Sequence, residues 1–330
     1  NGTSWTPTNS GINTSIINDL INDGTNFYAA TSTGLFKSSN NGSSWLNIGS
    51  SFGSTSYVLS VLKTGNTIYA GTFGTGIYVS TNEGTNWTSI NNGLVNLTIW
   101  EMISDGTSIY AATEIAGIYK TNIGGTTWTA SNGGITGSTD LRAISNSGGT
   151  IFTGFSGLYK STDGAASWTS ILNDGLAGKV IRSVYSYDNG NIVFAGTVTS
   201  GLYFSTNGGA NFFAANTGLP TITEINTIAI INGTVFIGTT GFGVWKRQLE
   251  EIISGINNIS SEVPSGYLLY QNYPNPFNPS TKIKFAIKNS GFVSLKVFDI
   301  MGKEISTLYN GVLKTGLYET EFNANELNSG

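Results

Sequence analysis

The chain contains neither cysteine nor histidine, so carboxylates, arginines and hydroxyl groups must carry any chemistry. Thiol catalysis, Ser-His triads and the usual ligands of zinc and copper are thereby excluded. We predict no metal site and no cofactor. Four side chains are singled out because they vary between units where a structural position would tend to repeat: Trp100, Glu101, Arg142 and Arg182. Asp19 is added as a carboxylate that could act together with Glu101.

A repeat of about forty residues must position these side chains. Polar phrases ending in an aromatic residue recur, and the aromatics are 40, 42, 41, 40 and 44 residues apart: Trp5, Trp45, Trp87, Trp128, Trp168 and Phe212. Each unit contains about four short runs rich in Ile, Val, Tyr and Phe, bounded by Gly and Asn, which predict strands. Four strands in forty residues are typical of a propeller blade. The sequence therefore predicts an all-β, six-bladed or partial seven-bladed β-propeller over residues 1–248.

The first unit is incomplete in sequence, and so is the last. The chain opens inside the repeated phrase, at Asn1–Trp5, and the final unit runs to Gly241–Arg247 without its closing aromatic. Two arrangements follow. Either the segment "SWTPT" pairs with "GVWKRQL" and closes six blades, or an upstream blade is missing and the ring has seven or more.

The polar phrase resembles the Asp-box, or BNR repeat, of the form Ser/Thr-x-Asp-x-Gly-x-x-Trp. Asn replaces Asp in most copies, Ile123 stands where the acid belongs in one copy, and Ala165 stands where Gly belongs in another. We expect a structural turn, in which the Asx side chain bonds backbone N–H groups and glycine accepts a positive φ. The residues predicted to form these turns are Ser38, Asn40, Gly42, Trp45, Ser80, Asn82, Gly84, Trp87, Thr121, Gly125, Trp128, Ser161, Asp163, Trp168, Ser205, Asn207, Gly209 and Phe212.

Alignment of the units on their innermost strands predicts two columns of side chains near a central channel. One column contains Asp19, Ser60, Glu101, Arg142, Ser183 and Thr227, and its neighbour contains Asn18, Leu59, Trp100, Leu141, Arg182 and Asn226. We predict Trp100, Glu101, Arg142 and Arg182 as ligand-binding candidates and Asp19 and Glu101 as weak catalytic ones. The alternative is an Arg–carboxylate pair solvated at the channel mouth.

The enzymes that share Asp-boxes suggest two tests of catalysis. Sialidases clamp a carboxylate with three arginines, but the third arginine here, Arg247, lies at the outer end of the last unit. Glycosidases need two carboxylates about 5–10 Å apart, and the separation of Asp19 from Glu101 does not follow from sequence. Regular repeats without long insertions favour a non-catalytic module that binds glycan or protein. The alternatives are a glycoside hydrolase of the sialidase-like or xyloglucanase-like propeller type, or a structural spacer.

After Arg247 the repetition stops. Residues 249–266 read as a linker with one helical turn at "LEEII", and residues 267–330 alternate as strands of a small, truncated Ig-like β-sandwich. "QNYPNPFNP", "VFDIMGKEI" and "GLYETEFNANELNSG" resemble the sorting domain of the type IX secretion system, the Por secretion tail of Bacteroidota. Its sorting motif here comprises Tyr273, Pro274, Asn275, Pro276, Phe277, Asn278 and Pro279. The family's final strands, which normally follow Ser-Gly, are absent from this sequence.

That resemblance implies export to the outer-membrane surface or the medium, with the type IX machinery as a partner. The low content of basic residues argues against a nucleic-acid partner. A net charge of −4, with only 10% charged residues, lacks the dense basic face that neutralises phosphates. We therefore predict no nucleic-acid partner. No apolar run approaches the roughly 20 residues of a transmembrane helix, so no transmembrane segment is predicted.

Overall fold

The computed structural model describes residues 6–14, 16–49, 52, 57–171, 175–221, 223–253, 256–260, 262–313 and 315–324. Within them the chain is all-β, as predicted, apart from one short helix and one 3-10 turn. The chain divides into two compact units, one of residues 1–228 with 238–243, the other of 229–237 with 244–330. The predicted boundaries at 248 and 266 stay predictions.

Five four-stranded antiparallel sheets follow one another along the repeat, each a simple meander from an inner to an outer strand. Their strands, in chain order and four to a sheet, are β1 (Ile17–Asn22), β2 (Phe27–Thr31), β3 (Gly34–Ser38), β4 (Leu46–Asn47); β5 (Val58–Thr64), β6 (Thr67–Thr72), β7 (Ile77–Ser80), β8 (Thr88–Ser89); β9 (Ile99–Ser104), β10 (Ser108–Thr113), β11 (Gly117–Asn122), β12 (Thr129–Ala130); β13 (Leu141–Ser147), β14 (Thr150–Phe155), β15 (Leu158–Ser161), β16 (Thr169–Ser170); β17 (Ile181–Tyr187), β18 (Ile192–Thr197), β19 (Leu202–Ser205) and β20 (Phe213–Ala214).

A sixth sheet has three strands among the described residues: β21 (Ile225–Ile231), β22 (Thr234–Thr239) and β23 (Gly243–Gln248). The predicted insertion at Asp188–Gly190 is a 3-10 turn between β17 and β18. Residues 6–9 belong to no strand, and Asn1–Trp5 lie outside the described residues. Closure of the last sheet by the N-terminal segment, and the blade number, therefore remain predictions.

Buried side chains lie between successive sheets, because each strand pair presents an apolar face to the next unit. The innermost strands β1, β5, β9, β13 and β17 contact one another in chain order. One cluster of this kind joins Tyr69 of β6 to Ile99 of β9 and to Trp128, which is only 2% exposed. At about 25 cal/mol per Å² of apolar surface, these interfaces supply the main stabilisation of a repeat fold.

The C-terminal residues form a second pair of sheets. Helix α1 (Leu249–Ile253) confirms the predicted helical turn, and the remaining strands are β24 (Ile256–Ser260), β25 (Leu268–Leu269), β26 (Ser280–Ile287), β27 (Gly291–Phe298), β28 (Glu304–Leu313) and β29 (Gly316–Asn323). One sheet has the order β24-β29-β26-β25, and β27 pairs with β28. Part of the predicted linker is thus a strand, since β24 pairs with β29. The Ig-like topology stays a prediction.

Candidate functional site

A β-bulge interrupts the inner strand of each of the first five sheets at the same level. The register with the second strand shifts after Ile17, Val58, Ile99, Leu141 and Ile181. A bulge leaves one residue outside the ladder and redirects its side chain. The residues in the five bulges are Asn18, Leu59, Trp100, Arg142 and Arg182.

This register corrects the predicted columns at the fourth unit. Arg142 does not share a column with Glu101; it lies in the bulge, like Trp100 and Arg182. Leu141 is fully buried before the bulge, and Ala143 occupies the position of Glu101. The loop between β12 and β13 is one residue longer than the loop between β8 and β9. The spacing from Trp100 to Arg142 is therefore 42 residues, whereas the spacing from Leu59 to Trp100 is 41.

The residues after the bulges tie neighbouring inner strands together. The backbone N–H of Val61 donates to Asp19 Oδ2 at 2.9 Å, and that of Ile144 donates to Glu101 Oε2 at 2.8 Å. Ser60 plays the same part between β5 and β9, because its Oγ accepts from the N–H of Met102 at 3.0 Å. The two weak catalytic candidates, Asp19 and Glu101, therefore each accept a hydrogen bond from the backbone of the next unit.

Burial raises the pKa values of the Asp19 and Glu101 carboxyls. Desolvation raises the pKa of Glu101 to about 8, against the opposing hydrogen bond from Ile144; the charge of Asp19 raises it further, and Arg182 lowers it. Desolvation also raises the pKa of Asp19, although N–H groups of Val61 and Leu20 stabilise its ionised form. Glu101 is thus mostly a neutral carboxylic acid at pH 7.

Arg142 is fixed in a stack of aromatic rings. Its guanidinium carbon lies 4.6 Å from the ring centroid of Trp100 and 4.0 Å from that of Phe155. Asp140 holds the group in plane, because it accepts from Nε at 3.1 Å and from Nη2 at 2.8 Å. A bidentate carboxylate and two rings leave this guanidinium little freedom.

Arg182 approaches the same indole more loosely. Its guanidinium carbon lies 5.9 Å from the Trp100 centroid, and its Nε is 3.2 Å from Glu224 Oε1. Glu224 is held in turn by the hydroxyl of Thr240 at 2.8 Å. The indole Nε1–H of Trp100 is buried and donates to no described residue. Buried polar groups almost always find a partner, so this donor is available to a ligand oxygen or to a water in the channel.

These side chains surround one cavity, which we call the channel. It measures about 460 Å³ and is lined by residues of all six inner strands, including Asn18 and Asn226. The structure thus brings Trp100, Glu101, Arg142, Arg182 and Asp19 to one cavity. Neither arginine pairs with Glu101 or Asp19 among the described residues; Arg142 pairs with Asp140 and Glu114, and Arg182 pairs with Glu224.

Sequence reasoning missed Asp140, Phe155 and Glu224. Asp140 stands two residues before Arg142 of the β13 bulge, Glu224 directly precedes β21, and Phe155 ends β14. An acid two residues before an arginine in "TDLR" was the available signal, since alternate residues on a strand share a face. Glu224 carried no such local signal, because its partner Arg182 lies in the preceding unit.

The predicted box residues form turns at the outer hairpins. In the first complete copy the Ser38 hydroxyl donates to Asn40 Oδ1 at 2.9 Å and accepts from the N–H of Gly42 at 2.9 Å. Asn40 Oδ1 also accepts from the N–H of Ser44, four residues on rather than two. The same bonds recur around Ser80, Ser161 and Ser205.

The tryptophan indoles of these boxes donate hydrogen bonds to the preceding unit. Trp87 Nε1 donates to the carbonyl of Ile48 at 2.7 Å, and Trp128 Nε1 to that of Ile90 at 2.8 Å. Trp45 Nε1 donates to Thr8 at 2.8 Å. Thr8, Ile48 and Ile90 each stand three residues after a closing tryptophan in sequence, so residues 6–9 take the place of an outer segment of a preceding unit.

The predicted sorting motif lies in the second compact unit. Tyr273 forms a bridge with Lys282 of β26, and the Phe277 ring meets Phe322 of β29 with centroids 6.0 Å apart. Among the described residues, no helix has the length and apolarity needed to cross a bilayer. In the same part of the chain, no group of three acidic side chains is arranged to hold a metal ion.

The repeat and the C-terminal residues resemble different known proteins. Residues 271–330 match the family described as the secretion system C-terminal sorting domain. No curated protein sequence matches the chain.

Solved structures of similar fold cover the repeat. YCF48 bound to D1 peptide superposes with a TM-score of 0.57 at 16% identity, over 71% of this chain and 78% of that one. A GH74 xyloglucanase from Xanthomonas campestris gives 0.57 at 16%, over 71% of this chain and 45% of the enzyme. The extracellular domain of a putative hybrid two component system from B. thetaiotaomicron gives 0.58 at 15%, over 91% and 42%.

Identities this low establish the fold and nothing finer. The chain spans less than half the length of the xyloglucanase and of the sensor domain. The protein is an all-β propeller whose C-terminal residues carry the sorting domain of the type IX secretion system, which directs it to the cell surface or the medium.

Proposed function

We propose that this protein is a non-catalytic propeller that binds an extracellular glycan or protein at the mouth of its channel. The observation that carries the proposal is the stack of the Arg142 guanidinium on the rings of Trp100 and Phe155, which lies beside an open cavity of about 460 Å³. Such preorganised aromatic and polar groups at a concave site are typical of recognition.

Catalysis is the second candidate, and one observation favours it. A carboxyl whose pKa is raised to about 8 suits a general acid. Against it, Glu101 and Asp19 each accept a hydrogen bond from the backbone of the following unit, which fixes them in the wall. The GH74 fold likeness supports a hydrolase only as an analogy.

The two candidates predict different results with the same protein. We expect binding on a glycan array or a peptide array and no turnover of a panel of fluorogenic glycosides. Trp100→Ala is expected to weaken binding at least tenfold, because it removes the ring on which Arg142 stacks. Turnover that Glu101→Gln abolishes would replace the binding proposal with a glycoside hydrolase.

A further inference from the structure

We propose that the channel mouth binds a peptide segment that presents a carboxylate to Arg182 and Trp100 and apolar side chains to the surrounding rim. The inference rests on the proposed binding function and names the ligand class of the same site. Three observations carry it: donors that have no acceptor among the described residues, the local ion pairs, and the exposed apolar side chains on the same face.

Unused donors converge on one wall of the channel. Arg182 reaches Glu224 through Nε, and its two terminal amino groups donate to no described residue. Arg142 uses Nε and Nη2 on Asp140, which leaves Nη1 without a described acceptor. The orphan Nε1–H of Trp100 belongs to the ring that both guanidinium groups approach. A ligand here must supply acceptor oxygens.

The local ion pairs limit the charge of the acceptor. Asp140 and Glu114 lie 2.8 and 3.8 Å from Arg142, and Glu224 lies beside Arg182. These carboxylates offset the guanidinium charge, so a doubly charged phosphate is disfavoured more strongly than a singly charged carboxylate that binds through the remaining N–H donors. A carboxylate remains compatible, because its planar oxygens match the terminal amino groups of arginine.

Exposed apolar side chains lie on the same face as this opening. In the first, third and fifth units, the turn after the second strand returns to the residue that precedes the bulge by two: Ser32 N–H donates to the carbonyl of Ile16, Glu114 N–H to Thr98, and Val198 N–H to Val180. These turns therefore share the face of the channel mouth. The rim comprises Ile16, Phe73, Ile115, Val180 and Phe242, all exposed; Phe73 is 51% exposed and Ile115 68%.

The apolar rim indicates which class of molecule, peptide or saccharide, supplies the carboxylate. Aliphatic side chains such as Ile16, Ile115 and Val180 pack favourably against apolar peptide side chains and offer a polar saccharide no hydrogen bonds. Exposed apolar residues grouped around a polar centre are typical of protein recognition. A peptide with apolar residues beside a free carboxylate fits both parts of the surface.

The test uses a library of octapeptides that carry randomised Leu, Ile, Val and Phe and end in a free carboxylate, with an amidated copy of each. Binding to the full chain is measured by fluorescence polarisation. We expect the free acids to bind at least tenfold more tightly than the amides. Internal peptides with Asp or Glu flanked by the same residues show whether a side-chain carboxylate serves equally.

Matched variants locate the binding. Arg182→Ala is expected to abolish the preference for the free acid, and Ile115→Ser to weaken all library peptides about fivefold. Leu46→Ser changes an equally exposed residue of outer strand β4 and is expected to have no effect. Circular dichroism confirms that each variant is folded.

The outcomes separate this inference from the proposed function. Equal binding of acids and amides, or unchanged binding by Arg182→Ala, would overturn the carboxylate site. Glycan binding that Trp100→Ala removes, without any peptide binding, would overturn the peptide and keep the binding propeller. No binding of either class by folded protein would overturn both.

Discussion

Trp100 combines two properties that rarely occur together in one side chain. It stacks with Arg142 at 4.6 Å, yet its buried Nε1–H lacks a described partner. An unsatisfied buried donor costs about 1–3 kcal/mol. Such a cost persists where a site is shaped for something else to satisfy it. The bulge that displaces Trp100 from the ladder is what directs the ring toward the channel.

Glu101 should make stability depend on pH. Its folded pKa of about 8 exceeds its ordinary 4.5, so the folded state binds the extra proton between these values. The stabilisation is complete below pH 4.5 and is lost as pH rises through about 8. Glu101→Gln keeps an acceptor for the N–H of Ile144 and does not ionise. We expect it to raise the free energy of unfolding at pH 8.5 by about 1–2 kcal/mol, because Glu101 is only partly buried and solvent screens part of its charge.

Urea unfolding at pH 4.5, 7 and 8.5 measures this effect, and Glu83 supplies a control of opposite sign. The ammonium of Lys37, 2.8 Å away, lowers the pKa of Glu83, so its stabilisation is present at neutral pH and is lost in acid. Glu83→Gln should therefore destabilise at pH 7–8.5. A Glu101→Gln variant without a pH-dependent gain would mean that Glu101 is already ionised at neutral pH.

Trp87 tests whether the repeated aromatics hold successive units together. Its ring meets Phe52 edge-on at 4.7 Å, and its Nε1–H reaches Ile48 of the preceding unit. We expect Trp87→Ala to cost about 3–5 kcal/mol of unfolding free energy, as other large-to-small core changes do.

Trp87→Phe is the matched control, because a phenylalanine already fills this position at Phe212. It loses the indole hydrogen bond and should cost about 1–2 kcal/mol. A loss below 1 kcal/mol for the alanine variant would show that the ring contributes little to the interface.

At the scale of elements, sequence periodicity was sufficient for the strands and insufficient for their register. The forty-residue spacing and the Ile, Val, Tyr and Phe runs predict the meanders correctly, because each strand's burial is a local pattern. The bulge is not local. It places Arg142 one residue away from its predicted column, and only the pairing of Leu141 with Phe155 reveals this. The pairs Arg182–Glu224 and Glu101–Ile144 cross between units, so no single window of sequence contains them.

Among the described residues, Ala143 marks a junction where the side chain after the bulge accepts no hydrogen bond from the backbone N–H of the next inner strand, whereas those of Asp19, Ser60 and Glu101 each accept one. It occupies the position of Ser60 and Glu101, and Val184 occupies that of Met102 and Ile144. A neighbouring bond replaces it two residues along, from the N–H of Ser186 to Ser145 Oγ at 2.9 Å. We expect Ala143→Ser to supply the missing acceptor and to stabilise the fold by about 0.5–1 kcal/mol.

Chemical denaturation of Ala143→Ser is best compared with Ser60→Ala. The latter removes the acceptor of the Met102 N–H and should cost about 1–3 kcal/mol, because a buried donor is left unpaired. If Ala143→Ser instead destabilises by that amount, the new hydroxyl has no partner and the inner strands meet differently at this junction.

At the scale of the whole molecule, two separate cores carry two separate tasks. The inter-sheet clusters of the repeat hold the channel, while Phe285, Ile287, Leu313 and Tyr318 form a core of their own in the C-terminal residues. Export information resides in the second core, since residues 271–330 match the sorting domain. Recognition at the channel and delivery to the surface should therefore be separable by mutation.

Removal of residues 271–330 tests that separation in a bacterium with a functional type IX system. The shortened chain keeps every residue that lines the channel, so we expect it to retain ligand binding and to remain in the periplasm. Fractionation and immunoblotting measure its location, and Arg182→Ala in the full chain is the converse control, exported but impaired in binding. Equal surface display of the shortened and full chains would place an export signal outside residues 271–330, the matched sorting domain.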